Sequence, residues 1–136
     1  MARKAAPWLP TVLLLALALA LGQGGPQAQP KAPSPQAQQL ELGKQTYQKH
    51  CASCHDQGAL VLVGKDPLNR LTRYRTAKGL FDYLTIAMPP TNPGGLKDEE
   101  YWALIAFILA ENKILPPDVV VGQGNGAQIP IRPPGP

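Results

Sequence analysis

The residues best suited to chemistry in this chain are two cysteines and a histidine that stand together. Cys51 and Cys54 are separated by two residues and His55 follows directly, which gives the pattern C-x-x-C-H. Haem is attached covalently at this pattern, because two thiols three positions apart lie on one side of a helical turn and the adjacent imidazole can reach the iron. We therefore predict one covalently bound haem c, attached to Cys51 and Cys54, with His55 as the proximal iron ligand.

Two other uses of these cysteines are open. A thioredoxin-like redox pair would follow a hydrophobic strand, whereas residues 40–50 are polar and have a helical period. A zinc site would draw on His50 together with the three motif residues, but four ligands within six residues strain a tetrahedral set. Both uses are therefore less favoured than haem attachment.

Met88 is the candidate for the distal iron ligand. The chain has two methionines and the other is the initiator, so Met88 offers the single internal thioether. Pro89 biases Met88 out of the helical region, which lets the chain turn as the side chain leaves a helix. Thioether ligation would raise the reduction potential relative to two histidines. The alternatives are a methionine that fills the core, or His50 as the ligand, which we instead expect to be solvated.

Three helices are predicted to position these residues. Ser34 followed by proline marks the start of the first helix, whose apolar stripe reaches Cys54. The second helix starts with Thr76 as a cap and ends at Met88, before two prolines. The third begins with three acidic residues and is apolar on nearly all sides over residues 101–110, so we expect it to be buried.

Residues 36–115 resemble the class I c-type cytochromes. Besides C-x-x-C-H, Gly43 and Tyr47 stand eight and four residues before Cys51, where that family has a glycine and an aromatic residue. The resemblance implies an all-α fold in which the N- and C-terminal helices cross, with Gly43 against Phe107, and the haem is enclosed between helices and loops. The pair Met88-Pro89 also looks like the family's distal ligand motif.

The same resemblance implies that the chain carries single electrons and is not an enzyme. It also implies that the backbone carbonyl of Pro67 accepts a hydrogen bond from His55, although Pro67 is nearly as well explained as a turn proline. Segments 76–83 and 96–101 look most like bacterial cytochrome c subunits associated with periplasmic dehydrogenases. We therefore expect protein redox partners, with a dehydrogenase as donor and an oxidase or another cytochrome as acceptor.

One basic run, over residues 65–78, has five basic side chains against one acidic side chain. Within it, Arg73, Tyr74 and Arg75 are suitable donors for the haem propionates. The run is equally explained as a docking face for an acidic partner or as a solvated loop. With a net charge of only +4, nothing in the sequence supports nucleic-acid binding.

The sequence outside the helices predicts export and flexible ends. We expect a signal peptide at 1–28, whose ten uninterrupted apolar residues are shorter than the ~20 of a membrane span. An uncleaved anchor is the alternative, and only then would the chain associate with a membrane. The predicted regions are the signal, a Gly-, Pro- and Gln-rich linker at 22–39, a cytochrome c domain at 36–115 and a tail at 116–136. We expect the tail to be disordered or extended, with residues 119–121 as a candidate for local packing.

The leading functional hypothesis is an exported mono-haem electron carrier, in the periplasm or on the outer face of the cytoplasmic membrane. A second hypothesis is a permanently bound haem subunit of a dehydrogenase or oxidase complex. A haem peroxidase or gas-binding protein is less favoured, because it requires an open or displaceable iron position that Met88 would fill.

Overall fold

The computed structural model of the protein describes residues 31–57, 61–63 and 68–132. These residues contain five α-helices: α1 Pro35–His50, α2 Ala52–His55, α3 Leu68–Leu71, α4 Ala77–Ala87 and α5 Asp98–Glu111. A short 3-10 turn, Thr72–Tyr74, precedes α4. The strand-like pairing among the described residues is a single bridge between Thr76 and Pro130. The predicted all-α architecture is confirmed in this part of the chain.

Helix α1 begins where its sequence predicts. The Ser34 hydroxyl accepts a hydrogen bond from the Ala37 N–H at 3.2 Å, and Pro35 occupies the first turn. The helix ends one residue before the cysteine motif, because Cys51 has φ −125° and ψ −40° and turns the chain. Cys54 and His55 therefore lie on the separate short helix α2, with Cys51 at its N-cap, and not on a continuous first helix as predicted.

Helix α4 begins after the predicted cap, Thr76, and ends before Met88, as the sequence predicts. Thr76 accepts a hydrogen bond from the Gly79 N–H at 3.1 Å through its side chain. Leu80 and Leu84 are buried on one face. Met88 follows the last helical residue with φ −132° and ψ 145°, which is the extended conformation expected before proline.

Helix α5 forms the centre of the hydrophobic core. It is buried on nearly all sides, as its apolar sequence predicts, and its residues Ile105, Ala106 and Leu109 have no measurable exposure. Both α1 and α4 pack against it. The helix therefore connects the element before the cysteine motif with the element before Met88.

The contact between α1 and α5 depends on Gly43. A Cβ atom at this position would overlap with the Ala103 carbonyl and lie 2.8 Å from Phe107 Cβ. The Phe107 ring also packs against Tyr47, with ring centroids 5.5 Å apart. The predicted contact of Gly43 with Phe107 is confirmed, and the backbone of Ala103 contributes to the same close approach.

The described part of the C-terminal segment is ordered. A disordered or extended tail is predicted at 116–136, with residues 119–121 as a candidate for local packing, and Val121, Ile129 and Ile131 are buried in the structure. The Gln39 side chain also exchanges two hydrogen bonds with the backbone of Val121. Three buried aliphatic side chains and these hydrogen bonds offset the cost of ordering the segment. Residues 133–136 lie outside the described residues.

The predicted N-terminal regions lie mostly outside the described residues. This holds for the signal peptide at 1–28 and for the linker up to residue 30. The last part of the predicted linker is different, because residues 35–39 are helical and belong to α1. No helix in the described residues is long and apolar enough to span a bilayer.

Candidate haem-binding site

A cavity of about 480 Å³ brings together the residues singled out for chemistry. Cys51, Cys54, His55 and Met88 all line it, although Met88 is more than thirty positions away from the motif in the sequence. Its volume falls within the ~300–1,000 Å³ that is typical of small-molecule and cofactor sites. The fold thus brings the proposed attachment and ligand residues to one place.

Much of the remaining wall of the cavity is aliphatic. Its aliphatic side chains are Leu62, Leu71, Leu80, Leu84, Leu104 and Ile108. Cofactor sites are usually lined by apolar side chains with a few polar groups among them. A cavity of this size and lining therefore fits a large, mainly apolar occupant.

The cysteine motif is held as one tight turn. The N–H groups of Cys54 and His55 both donate to the Cys51 carbonyl, at 3.1 and 2.9 Å. Cys51 is half-buried, Cys54 is exposed, and neither forms a disulfide. Burial, followed by the nearby Asp56 and Cys54, raises the pKa of the Cys51 thiol to about 11. This raised pKa disfavours the thiolate that redox exchange requires.

Tyr47 fixes the chain immediately after the motif. Its hydroxyl donates to Asp56 Oδ1 at 2.8 Å, and only 4% of the residue is exposed. Burial, together with this hydrogen bond to Asp56, holds the pKa of Tyr47 well above its usual value. The sequence predicts a role for Tyr47 only in the contact between the N- and C-terminal helices. No spacing rule indicates a hydrogen bond from its hydroxyl to Asp56.

Tyr101 fixes the backbone of Met88. Its hydroxyl donates to the Met88 carbonyl at 2.9 Å, and Tyr101 is 1% exposed. The donor comes from the first turn of α5, so this bond connects the buried core to the residue that leaves α4. The sequence predicts Tyr101 only as one residue of an apolar helix and gives no signal for this hydrogen bond.

The polar residues on the cavity wall are only in part those predicted to bind the haem propionates. Arg73 and Tyr74 line it as expected, together with Arg70 and Tyr83, which the sequence analysis did not single out. The rings of Tyr74 and Tyr83 lie 4.8 Å apart. Burial and then Tyr83 raise the pKa of Tyr74, while Arg73 acts in the opposite direction.

Arg75 does not reach this wall, which corrects its prediction as a cavity residue. It is exposed and has a positive φ of 64°, and its carbonyl accepts the Ile131 N–H at 2.8 Å. The Arg75 carbonyl thus bonds to the C-terminal segment, and Arg75 is not among the residues that line the cavity.

Two further residues named from the sequence complete the description of the site. His50, for which we expect a solvated side chain, is half-buried and lines the cavity. Pro67, the predicted acceptor for His55, lies outside the described residues.

The residues present fit a covalently attached haem. Two thiols in C-x-x-C-H, a neighbouring imidazole and a thioether lie around one aliphatic cavity, and this site on an all-α fold defines a class I c-type cytochrome with a single haem. The chain belongs to the family described as cytochrome c oxidase, cbb3-type, subunit III, whose model matches residues 38–108, slightly more than half of the sequence. Neither a curated protein nor a solved structure matches the chain.

Family membership confirms the main functional predictions. The protein is a cytochrome c that transfers electrons through haem, and its single cysteine pair corresponds to one covalently bound haem c. It is an electron carrier with protein redox partners, and c-type cytochromes are exported proteins. The thioredoxin-like and zinc alternatives are thereby excluded. The match does not support the predicted association with a dehydrogenase.

Proposed function

We propose that the protein is a periplasmic single-electron carrier in which His55 and Met88 ligate the haem iron as proximal and distal ligands. The observation that carries this proposal is that Met88 leaves α4 in an extended conformation and lines the same cavity as the cysteine motif. Haem bound there supplies a one-electron redox centre. The task of the chain is to hold both ligands in place and to keep water away.

The proximal side is fixed by the elements around the motif. The backbone N–H of His55 donates to the Cys51 carbonyl, and the next residue, Asp56, accepts the Tyr47 hydroxyl. These bonds restrict the backbone on both sides of the imidazole. We keep the Pro67 carbonyl as the proposed partner of its second ring nitrogen, since such a bond orients a ligating histidine and increases its basicity.

The distal side is fixed by α4 and α5. The Tyr101 hydroxyl holds the Met88 carbonyl, while Leu80, Leu84 and Leu104 cover the cavity with aliphatic surface. With Met88 as its second ligand, haem held there would lack an open position for a small substrate. The arrangement favours electron transfer over peroxidase or gas-binding activity.

The polar wall is suited to the two carboxylates that haem carries. Arg70 and Arg73 supply positive charge, and Tyr74 and Tyr83 supply hydroxyl donors beside it. Charge-assisted hydrogen bonds to carboxylates are stronger than neutral ones. We therefore assign propionate binding to Arg73 and Tyr74, as predicted, and add Arg70 and Tyr83.

The distal ligand is tested with Met88→Ala and a matched control, Ile86→Ala. Ile86 lies two residues earlier, in the last turn of α4, and is 76% exposed. We expect Met88→Ala to lose the far-red methionine-to-iron charge-transfer band of the ferric protein. Its potential should also fall by on the order of 100 mV, within the ~0.8 V range that axial ligands set. Ile86→Ala should retain both. A band that persists in Met88→Ala would show that Met88 is not the ligand.

Membership of a family of oxidase subunits favours an oxidase as the electron acceptor. The reduced protein should be reoxidised by membranes that contain a haem-copper oxidase, with oxygen uptake that cyanide blocks. A free carrier would support this turnover after purification as a monomer. A permanent subunit would instead copurify with the oxidase at a fixed ratio, and copurification with a dehydrogenase would restore the association predicted from the sequence.

A further inference from the structure

The segment after α5 forms a strap, defined here as residues 116–132. It lies beyond residues 38–108, which the family match covers. Its side chains Val121, Ile129 and Ile131 are 1%, 8% and 3% exposed, so they belong to the core. The strap is hydrogen-bonded to α1 and α4, the helices that precede the cysteine motif and Met88.

The first attachment of the strap is to the start of α1, through two glutamine side chains. Gln39 donates to the Val121 carbonyl at 2.7 Å and accepts its N–H at 2.8 Å. Gln36 donates to the Val119 carbonyl at 3.0 Å and accepts the Asp118 N–H at 2.9 Å. Each amide group thus pairs with a donor and an acceptor of the strap backbone, so the strap is fixed along α1.

The second attachment is to the start of α4. The first N–H groups of a helix have no partner within the helix. Here the Ala77 N–H donates to the Ile129 carbonyl at 2.9 Å, and the Lys78 N–H donates to the Gly126 carbonyl at 3.0 Å. The Thr76 hydroxyl satisfies the next N–H. The strap therefore supplies two of the three acceptors that complete the N-terminus of α4.

Gly126 also sets the strap against the core. A Cβ atom at this position would lie 2.7 Å from Trp102 Cη2, closer than side chains pack. Trp102 in turn stacks on Phe81 of α4, with ring centroids 4.2 Å apart and planes at 13°. A side chain at position 126 would thus displace either the strap or the ring that supports α4. Gly124 of the same strap has nothing within 4 Å of its Cβ position.

We propose that the strap is a positioning element for Met88. It fixes α4 at its N-terminus, and the helix is one rigid unit of eleven residues that ends directly before Met88. Release of the strap frees α4 to move and raises the population in which the thioether has left the cavity. This inference rests on the proposed function, in which Met88 is the distal ligand.

The test compares Gly126→Ala with Gly124→Ala in the holoprotein, using imidazole as a probe. Imidazole binds ferric haem only where the distal ligand has left, so its apparent affinity follows the fraction of open protein. We expect Gly126→Ala to bind imidazole about tenfold more tightly than the parent protein, a change of ~1.4 kcal/mol. Gly124→Ala should bind it as the parent does. A strap with a merely structural role would lower the melting temperature of Gly126→Ala and leave its imidazole affinity at the control value, which would overturn the proposal.

A second pair of variants tests the strap if Gly126→Ala does not fold. Gln39→Ala removes both hydrogen bonds to Val121, and the control Gln45→Ala changes an exposed glutamine of the same helix that donates to Glu41. Tighter imidazole binding in Gln39→Ala than in Gln45→Ala supports the strap, and equal binding overturns it.

The failure of the proposed function has a different signature from the failure of the strap. If Met88 is not the ligand, Met88→Ala binds imidazole no more tightly than the parent protein does. If Met88 is the ligand but the strap does not position it, Met88→Ala binds imidazole more tightly while both strap variants match their controls.

Discussion

Replacement of Gly43 by alanine tests the helix contact on which the whole site depends. Gly43 lies on α1, eight residues before the first cysteine of the motif, and faces the Ala103 carbonyl of α5. On an exposed helix surface the same replacement would stabilise the protein, because alanine has a higher helix propensity than glycine. Whether Gly43→Ala raises or lowers the free energy of unfolding therefore depends on the contact of Gly43 with α5.

The magnitude follows from the space available. The new methyl group would overlap with the Ala103 carbonyl and lie 2.8 Å from Phe107 Cβ, below the ~3.5–4.0 Å of favourable carbon contacts. Overpacking costs ~1–3 kcal/mol, and the upper end applies because a backbone carbonyl of a buried helix cannot rotate away. After a gain of ~1 kcal/mol in helix propensity, the net loss in the free energy of unfolding is ~2 kcal/mol.

Urea and thermal unfolding of the holoprotein measure this loss. For a domain of this size, ~2 kcal/mol corresponds to a fall of ~8–16 °C in the melting temperature. The matched control is Gly122→Ala, because nothing lies within 4 Å of the Cβ position at Gly122. A Gly43→Ala protein as stable as the parent, or more stable, would refute the close approach of α1 and α5.

Three further substitutions test single hydrogen bonds. Thr76→Ala should lower the free energy of unfolding by about 1 kcal/mol through loss of the α4 cap, and Thr76→Ser should restore most of it in urea unfolding. Tyr101→Phe should cost ~0.5–1.5 kcal/mol and increase imidazole affinity, because the Met88 carbonyl loses its donor. Tyr47→Phe should lower stability at pH 7 by ~1 kcal/mol through loss of the bond to Asp56. Because the folded state holds the pKa of Tyr47 above ~10, the unfolded state loses this proton first as pH rises. Stability of the parent protein should therefore fall above pH ~10, and urea unfolding between pH 7 and 11 should show a smaller fall in Tyr47→Phe.

The parts of this protein that could be predicted from sequence are those encoded over short distances. The cysteine motif acts within five residues, and Ser34 and Thr76 cap helices whose amides lie three positions ahead. The extended backbone of Met88 was predictable because the proline that follows disfavours the helical conformation at Met88. The contact at Gly43 was reached only through resemblance to a family, since glycine in a helix does not by itself name its partner.

The contacts missed by the sequence analysis join a side chain to a distant backbone. The Gln39 amide meets Val121, which is 82 residues away, and the Tyr101 hydroxyl meets a carbonyl 13 residues away. No periodicity in the sequence predicts such pairs, because each pair forms only where two folded elements come into contact. Composition indicates the packing of the strap only in part. Residues 119–121 are an apolar run, whereas Ile129 and Ile131 stand among glycines and prolines and give no pattern that predicts their burial.

The position of Met88 depends on a chain of contacts that starts at the cysteine motif. Helix α1 leads into the motif and is held against α5 at Gly43, while Tyr101 of α5 holds the Met88 carbonyl. The strap follows α5 in the chain and fixes the N-terminus of α4. Because α4 is ~16 Å long, it could rotate about the Tyr101 bond if that were its only attachment. A separation of α1 from α5 therefore moves the motif away from both anchors of α4. For this reason Gly43→Ala should bind imidazole more tightly than Gly122→Ala at temperatures where both proteins are still folded.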